Sequence, residues 1–309
     1  MDIGVNLAPK HVTGLYLSSP VMTSAGTFGG DGYGGGLLPD FPINELGAIV
    51  LKSTTLMPRI GNPEPHMEEQ AHGWLNAVGL KNPGIHDFRD SVMPVFIHST
   101  VPVILSLAAD SYEDFIALAQ IAGEIVGIDG IELNFGCPNT ASGLDFGQNA
   151  EAARRVTRGV KELLRIPVIV KLTPNVTDVV EIGLAVQEGG ADAVTAINTV
   201  GGMAVEWNTG RPSIGNVLGG LSGPGIKPIA LGVVYKLVRA IEIPVIGVGG
   251  ISSADDALEF FCVGATAVQI GSASFGRPHI YLDVIAGIVG RMEQQGLKDL
   301  PSLRKVIEI

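Results

Sequence analysis

A thiol lies between carboxamides in the stretch Glu132-Leu133-Asn134-Phe135-Gly136-Cys137-Pro138-Asn139, where an apolar run ends and a loop begins. A thiolate can abstract a proton. Carboxamides can hold a flat, polar ring through paired donors and acceptors, and Pro138 stiffens the turn behind the thiol. The same stretch also suits a strand end with turn-forming Asn and Pro beside a buried Cys. Other polar groups stand where further apolar runs stop: Lys52-Ser53, Lys171 and Asn198-Thr199. Two lysines at one mouth call for an anionic ligand, or for pairing of one of them with Glu132, because an unpaired buried charge is costly.

Two glycine-rich segments carry a second kind of chemistry. Gly247-Val248-Gly249-Gly250-Ile251-Ser252-Ser253 and Ile270-Gly271-Ser272-Ala273-Ser274 each follow an apolar run. Such loops expose backbone N–H groups near a helix start, the arrangement that binds phosphate after the last two strands of many barrels.

The elements that must position these groups are legible as alternation. Short apolar runs recur at 21–25, 48–53, 101–107, 130–135, 168–172, 193–198, 245–248 and 267–271, several of them β-branched throughout, as strands buried on both faces require. Helical patterns occupy 87–98, 112–126, 150–164, 176–187, 228–241, 253–262 and 280–294. Asp110-Ser111, Thr177-Asp178 and Ser252-Ser253 supply N-terminal caps, and Ile166-Pro167 and Ile243-Pro244 break helices ahead of strands. Eight strand–helix repeats predict an α/β chain forming one (β/α)8 TIM barrel over 1–309. No G-x-G-x-x-G opens a first helix after the first strand, as an open dinucleotide-binding sheet would ask. The connections 54–84 and 199–227 are too long for bare turns and predict long loops on the C-terminal face of the strands.

Composition narrows the function classes. The chain has 309 residues, 46% hydrophobic and 6% aromatic, with 42 glycines and a net charge of −11, so a nucleic-acid backbone is not the expected partner. Two cysteines, Cys137 and Cys262, cannot build a disulfide framework, a zinc site or an iron–sulfur ligand set. His66 and His72 lack a further clear ligand, so no metal is expected. The N-terminus shows no basic-then-apolar leader and no run is long enough to span a bilayer, which predicts a cytoplasmic protein without a membrane anchor.

Taken together, these residues resemble class 1 dihydroorotate dehydrogenase, the flavin enzyme of pyrimidine synthesis, over nearly the whole chain. The likeness rests on Ser24-Ala25-Gly26, Lys52-Ser53, Asn76-Ala77-Val78-Gly79-Leu80, Asn134 to Asn139, Lys171, Asn198-Thr199, Leu221-Ser222-Gly223-Pro224-Gly225-Ile226-Lys227-Pro228 and both glycine loops. It implies one FMN per chain across the barrel mouth, the phosphate on Gly249, Gly250, Gly271 and Ser272. Lys171 would stabilise the negative charge of the reduced ring. Ala25, Gly26, Lys52, Ser53, Ser106, Asn134, Ile197 and Gly223 would contact the flavin. Substrate dihydroorotate would meet Lys52, Asn76 to Leu80, Asn134, Asn139, Asn198 and Thr199, and Cys137 would remove its C5 proton as hydride leaves C6.

The 221–228 segment is similar to the 1B type, which implies a homodimer joined to an electron-transfer subunit carrying FAD and a [2Fe–2S] cluster, with NAD as final acceptor. The 1A type, a fumarate-using homodimer, and a dihydropyrimidine dehydrogenase-like flavoenzyme share most of these residues. A flavin-free barrel lyase with Lys171 as Schiff-base amine is a more distant alternative. Two positions depart from the family pattern. Ser106 stands where an Asn usually contacts flavin, and Gly136 replaces the usual Ser before the Cys, which predicts a missing hydroxyl and a looser loop.

Overall fold

The computed structural model describes residues 2–38, 40–136 and 146–306, the side chains of 304–306 excepted. All eight apolar runs form strands: Val21–Thr23 (β1), Ile49–Thr54 (β2), Val103–Leu107 (β3), Gly130–Asn134 (β4), Val168–Leu172 (β5), Ala193–Ala196 (β6), Val245–Val248 (β7) and Ala267–Ile270 (β8). They pair in parallel and in chain order, with β8 returning to β1. A parallel bridge from Met22 to Ala48 closes the ring between β1 and β2. The Thr23 hydroxyl reinforces this short seam by donating to the Val50 carbonyl at 3.2 Å and accepting its N–H at 2.8 Å.

Among the described residues six longer helices clothe the barrel: Tyr112–Ala122 (α1), Ala150–Leu163 (α2), Val179–Glu188 (α3), Lys227–Ala240 (α4), Ala254–Cys262 (α5) and Ile280–Gln294 (α6). Ser111, Asn149, Asp178 and Ser253 cap α1, α2, α3 and α5 by accepting from first-turn N–H groups. The helix expected over 87–98 is instead a succession of short turns, Ile85–Asp87, Phe88–Val92 and Met93–Val95. Pro94 has no N–H to continue a regular ladder, and the buried Ile85, Phe88, Met93 and Phe96 hold the segment to the core. Among the described residues no helix is long and apolar enough to cross a membrane.

Two hydrophobic clusters follow from the period-two alternation of the strands. Outward residues such as Leu105, Leu133, Val170 and Val194 join the helices in the larger cluster. Inward residues Met22, Val50, Ile104, Ile169, Ala193, Ile246 and Ala267 fill the N-terminal half of the lumen. That end is plugged by a hairpin pairing Val5–Asn6 with Tyr16–Leu17, whose Leu7, Leu15 and Leu17 complete the cluster. The two long connections lie at the opposite end, and they contain a four-stranded antiparallel sheet. Its order is Val200–Gly202, Gly219–Ser222, Gly73–Asn76 and Met67–Gln70. This sheet roofs the barrel mouth.

Candidate active site

Along several strands the inward positions change from apolar to polar on the way to the C-terminal end. Ile169 is followed by Lys171 in β5, Ala193 by Thr195 in β6 and Ala267 by Gln269 in β8, with Glu132 and Asn134 at the end of β4. These polar groups form a buried network. The Lys171 ammonium donates to Ser24 Oγ at 3.0 Å and to Gln269 Oε1 at 3.2 Å. Gln269 Nε2 and Thr195 Oγ1 donate to Glu132 Oε2 at 2.7 and 2.9 Å. Lys171 and Glu132 are 3.8 Å apart, so the pairing expected of one lysine is present as a partial, strongly buried ion pair.

Above the network opens a cavity of about 950 Å³. It gathers Ala25, Gly26, Lys52, Ser53, Asn76, Ala77, Val78, Gly79, Leu80, Asn134, Lys171, Ile197, Asn198, Thr199, Gly223, Gly249, Gly250, Gly271 and Ser272 on one wall system. One wall is a chain of carboxamides and hydroxyls. Asn198 Nδ2 donates to Asn134 Oδ1 at 3.0 Å, Asn134 Nδ2 donates to Ser53 Oγ at 3.0 Å, and Ser53 shares a 2.8 Å bond with Ser106. From the roof, Asn76 Nδ2 donates to the Gly220 carbonyl at 3.0 Å. At the rim, Lys52 Nζ donates to the Asp31 carbonyl at 3.0 Å. Burial pushes its pKa down, opposed by the Asp31 charge and aided by Lys81.

The glycine loop after β7 meets the start of α4. A Cβ on Gly250 would stand 2.7 Å from Lys227 Cβ, and one on Gly249 would stand 2.8 Å from Ala230 Cβ. Both residues have positive φ, +77° and +131°, so glycine is required twice over. The loop after β7 is pinned by Asp256, which accepts from the Ser252 N–H and from the Ser252 and Ser253 hydroxyls, all at 2.9 Å.

One expected contact residue is placed otherwise. Ser106 does not line the cavity: it is fully buried and reaches the wall only through Ser53. Cys137 and Asn139 lie outside the described residues. Gln269 and Thr195 were not anticipated. A lone Gln inside the apolar run Ala267-Val268-Gln269-Ile270 is the signal that could have found the first. A cavity of this size suits a ring system with substrate. The buried ammonium on its floor, and the glycine loop after β7 packed closely on the start of α4, suit an anionic, phosphate-bearing cofactor. Among the described residues no group of three or more His, Cys, Asp or Glu could hold a metal.

The sequence profile described as "Dihydroorotate dehydrogenase" matches residues 7–292. The chain belongs to the dihydroorotate dehydrogenase family. It is 47% identical over 292 residues to the dihydroorotate dehydrogenase B (NAD(+)) catalytic subunit of Thermoanaerobacter pseudethanolicus, covering 94% of this chain and 95% of that one. It is 43% identical to the subunit of the same name from Alkaliphilus metalliredigens, covering 95% and 96%. The crystal structure of DHODH from Eimeria tenella in complex with ferulenol shares the fold, with a TM-score of 0.79 and 20% identity over 98% of this chain and 87% of that one.

In this family member, Gly136 has a packing role, while the loop after it, expected to be looser, lies outside the described residues. A Cβ there would lie 2.1 Å from Asn198 Nδ2 and 2.6 Å from Asn198 Cβ. Only glycine lets the Asn198 carboxamide reach Asn134 at this point. A Gly136→Ser substitution is expected to push Asn198 aside and break that bond, at a cost of about 1–3 kcal/mol. Steady-state kinetics should show KM for dihydroorotate rising roughly tenfold or more, with flavin content unchanged. An unchanged KM would show that Asn198 yields without consequence.

Proposed function

We propose that this chain oxidises (S)-dihydroorotate to orotate in de novo pyrimidine synthesis, with FMN held in the cavity above Lys171. The observation that carries the reading is the meeting, in one cavity of a family member, of the buried Lys171 network, the carboxamide wall and the two glycine loops. Gly249, Gly250, Gly271 and Ser272 would cradle the phosphate, and Ala25, Gly26, Ser53, Ile197 and Gly223 would flank the ring. FMN, when bound, accepts the hydride leaving substrate C6. Lys171, with two N–H bonds committed to Ser24 and Gln269, has a third to direct at the ring edge where negative charge develops.

Asn76, Asn134, Asn139, Asn198 and Thr199 would satisfy the substrate's carbonyls and N–H groups, and Ala77 to Leu80 would form part of its wall. Lys52 would meet the carboxylate. The Cys137 thiolate would take the C5 proton, so that the electron pair of the C5–H bond becomes the new C5=C6 bond as C6 loses hydride.

The pKa shift of Lys52 gives a directional prediction. Its ammonium loses its proton below the ordinary lysine range because burial disfavours charge. A bound carboxylate favours the charged form, so binding takes up a proton in that window. Affinity for orotate should be full below the lowered pKa and fall as pH rises through it. Lys52→Gln is expected to bind orotate about tenfold more weakly and to lose this dependence. Equilibrium titrations from about pH 7 to about pH 10 check it, and identical pH profiles for the two proteins would contradict it.

For the oxidative half of the cycle, the reading is a cytoplasmic homodimer of single-domain FMN subunits, paired with a second subunit carrying FAD and a [2Fe–2S] cluster that passes electrons to NAD. The names of the relatives support it, as does the cysteine count: Cys137 and Cys262 cannot ligate a cluster. The test is NAD reduction by dihydroorotate with and without the co-expressed partner. Turnover with NAD only when the partner is present supports the 1B arrangement. Rapid turnover with fumarate by the isolated chain supports the 1A type.

A further inference from the structure

Glu132 is fully buried below the cavity and is not part of its lining. Its Oε2 accepts two donors, from Thr195 and Gln269, and its Oε1 has no hydrogen-bond partner among the described residues. A proton on Oε1 would meet the Lys171 ammonium and no acceptor, so the geometry is that of a carboxylate. This carboxylate also fixes the amide between them. Because Gln269 Nε2 faces Glu132, its carbonyl oxygen faces Lys171. The flipped amide would set NH2 against ammonium and carbonyl against carboxylate, two repulsive contacts in a dry site.

We propose that Glu132 is a positioning and charge-balancing residue for the flavin, acting through Gln269 and Lys171. The proposal rests on reading the cavity as an FMN site. Lys171 alone would present a full positive charge to the ring. With Glu132 3.8 Å behind it, the floor is neutral overall and keeps only its positive end toward the cavity. Reduced flavin is the more negative form, so this compensation holds the reduction potential of the bound cofactor down. It keeps electrons available to leave, while the aimed N–H of Lys171 is retained.

The test is the midpoint potential of bound FMN in wild-type protein, Glu132→Gln and Glu132→Asp, measured against a reference dye without substrate. In Glu132→Gln the preference for reduced over oxidised FMN is expected to rise at least tenfold, a shift of about 30 mV for a two-electron couple. Glu132→Asp, which keeps the charge, should stay within twofold of wild type. A potential that is unchanged or lower in Glu132→Gln overturns the proposal. So does a folded Glu132→Gln protein that no longer binds FMN, since that makes the residue purely structural. If Glu132→Gln does not fold, Thr195→Val keeps the carboxylate and must leave the potential within twofold, and a larger shift overturns charge balancing. Wild-type apoprotein that fails to take up FMN removes the reading of the cavity and this proposal together.

Discussion

Lys171→Met is expected to lose two things at once, rate and stability. Flavin reduction by dihydroorotate should slow roughly 10²–10³-fold, the range seen when a preorganised donor to developing negative charge is removed. The side chain is 6% exposed, and its partner Glu132 is 0% exposed. Met fills similar volume but leaves Glu132 as an uncompensated buried carboxylate, at a cost of about 3–5 kcal/mol. The two effects are separable. Adding Glu132→Gln removes the orphaned charge and should recover most of the thermal stability without recovering the rate. Stopped-flow reduction and thermal unfolding of the two variants measure this. A Lys171→Met protein that reduces its flavin at the wild-type rate would remove Lys171 from the chemistry.

Cys137→Ser carries the second large effect. The sequence places a thiol between Asn134 and Asn139, and a thiol of ordinary acidity, about 8.5, is mostly neutral near pH 7. The single-turnover rate of wild-type protein should therefore climb with pH as the thiolate forms and level off above its pKa. A serine hydroxyl is a much weaker acid and a poorer proton acceptor at these pH values. The variant should be slower by about 10²–10⁴ and keep rising into the alkaline range without a plateau. A flat wild-type profile would exclude a titrating base. A Ser variant of equal rate would exclude this one.

What the sequence revealed depended on how local each signal was. The strands Val168–Leu172 and Val245–Val248 and the helix Ile280–Gln294 have the bounds their hydrophobic patterns suggest, because the strands are unbroken runs buried on both faces and the helix buries a stripe at its own period. The N-terminal hairpin was illegible: strands of two residues carry no period, and Leu7 and Leu15 find their partners across the barrel lumen. The roof sheet is legible only as long loops because Gly201, Gly202, Gly219 and Gly220 have little strand propensity. Its pairing joins segments that lie far apart in the chain. At the site, residue type and strand-end position revealed Lys52, Asn134, Lys171 and Asn198. They could not reveal that Ser106 sits one layer too deep, or that Gly136 is shaped by Asn198. Both facts are set by packing between strands.

Whether this cavity joins FMN to dihydroorotate is decided by titrating the purified chain anaerobically with dihydroorotate while following the visible flavin absorbance. The expected result is a yellow protein that bleaches as substrate is added, with one flavin reduced per chain. A yellow protein that does not bleach would contradict the substrate, and a colourless protein that cannot be reconstituted with FMN would contradict the cofactor and the substrate chemistry built on it.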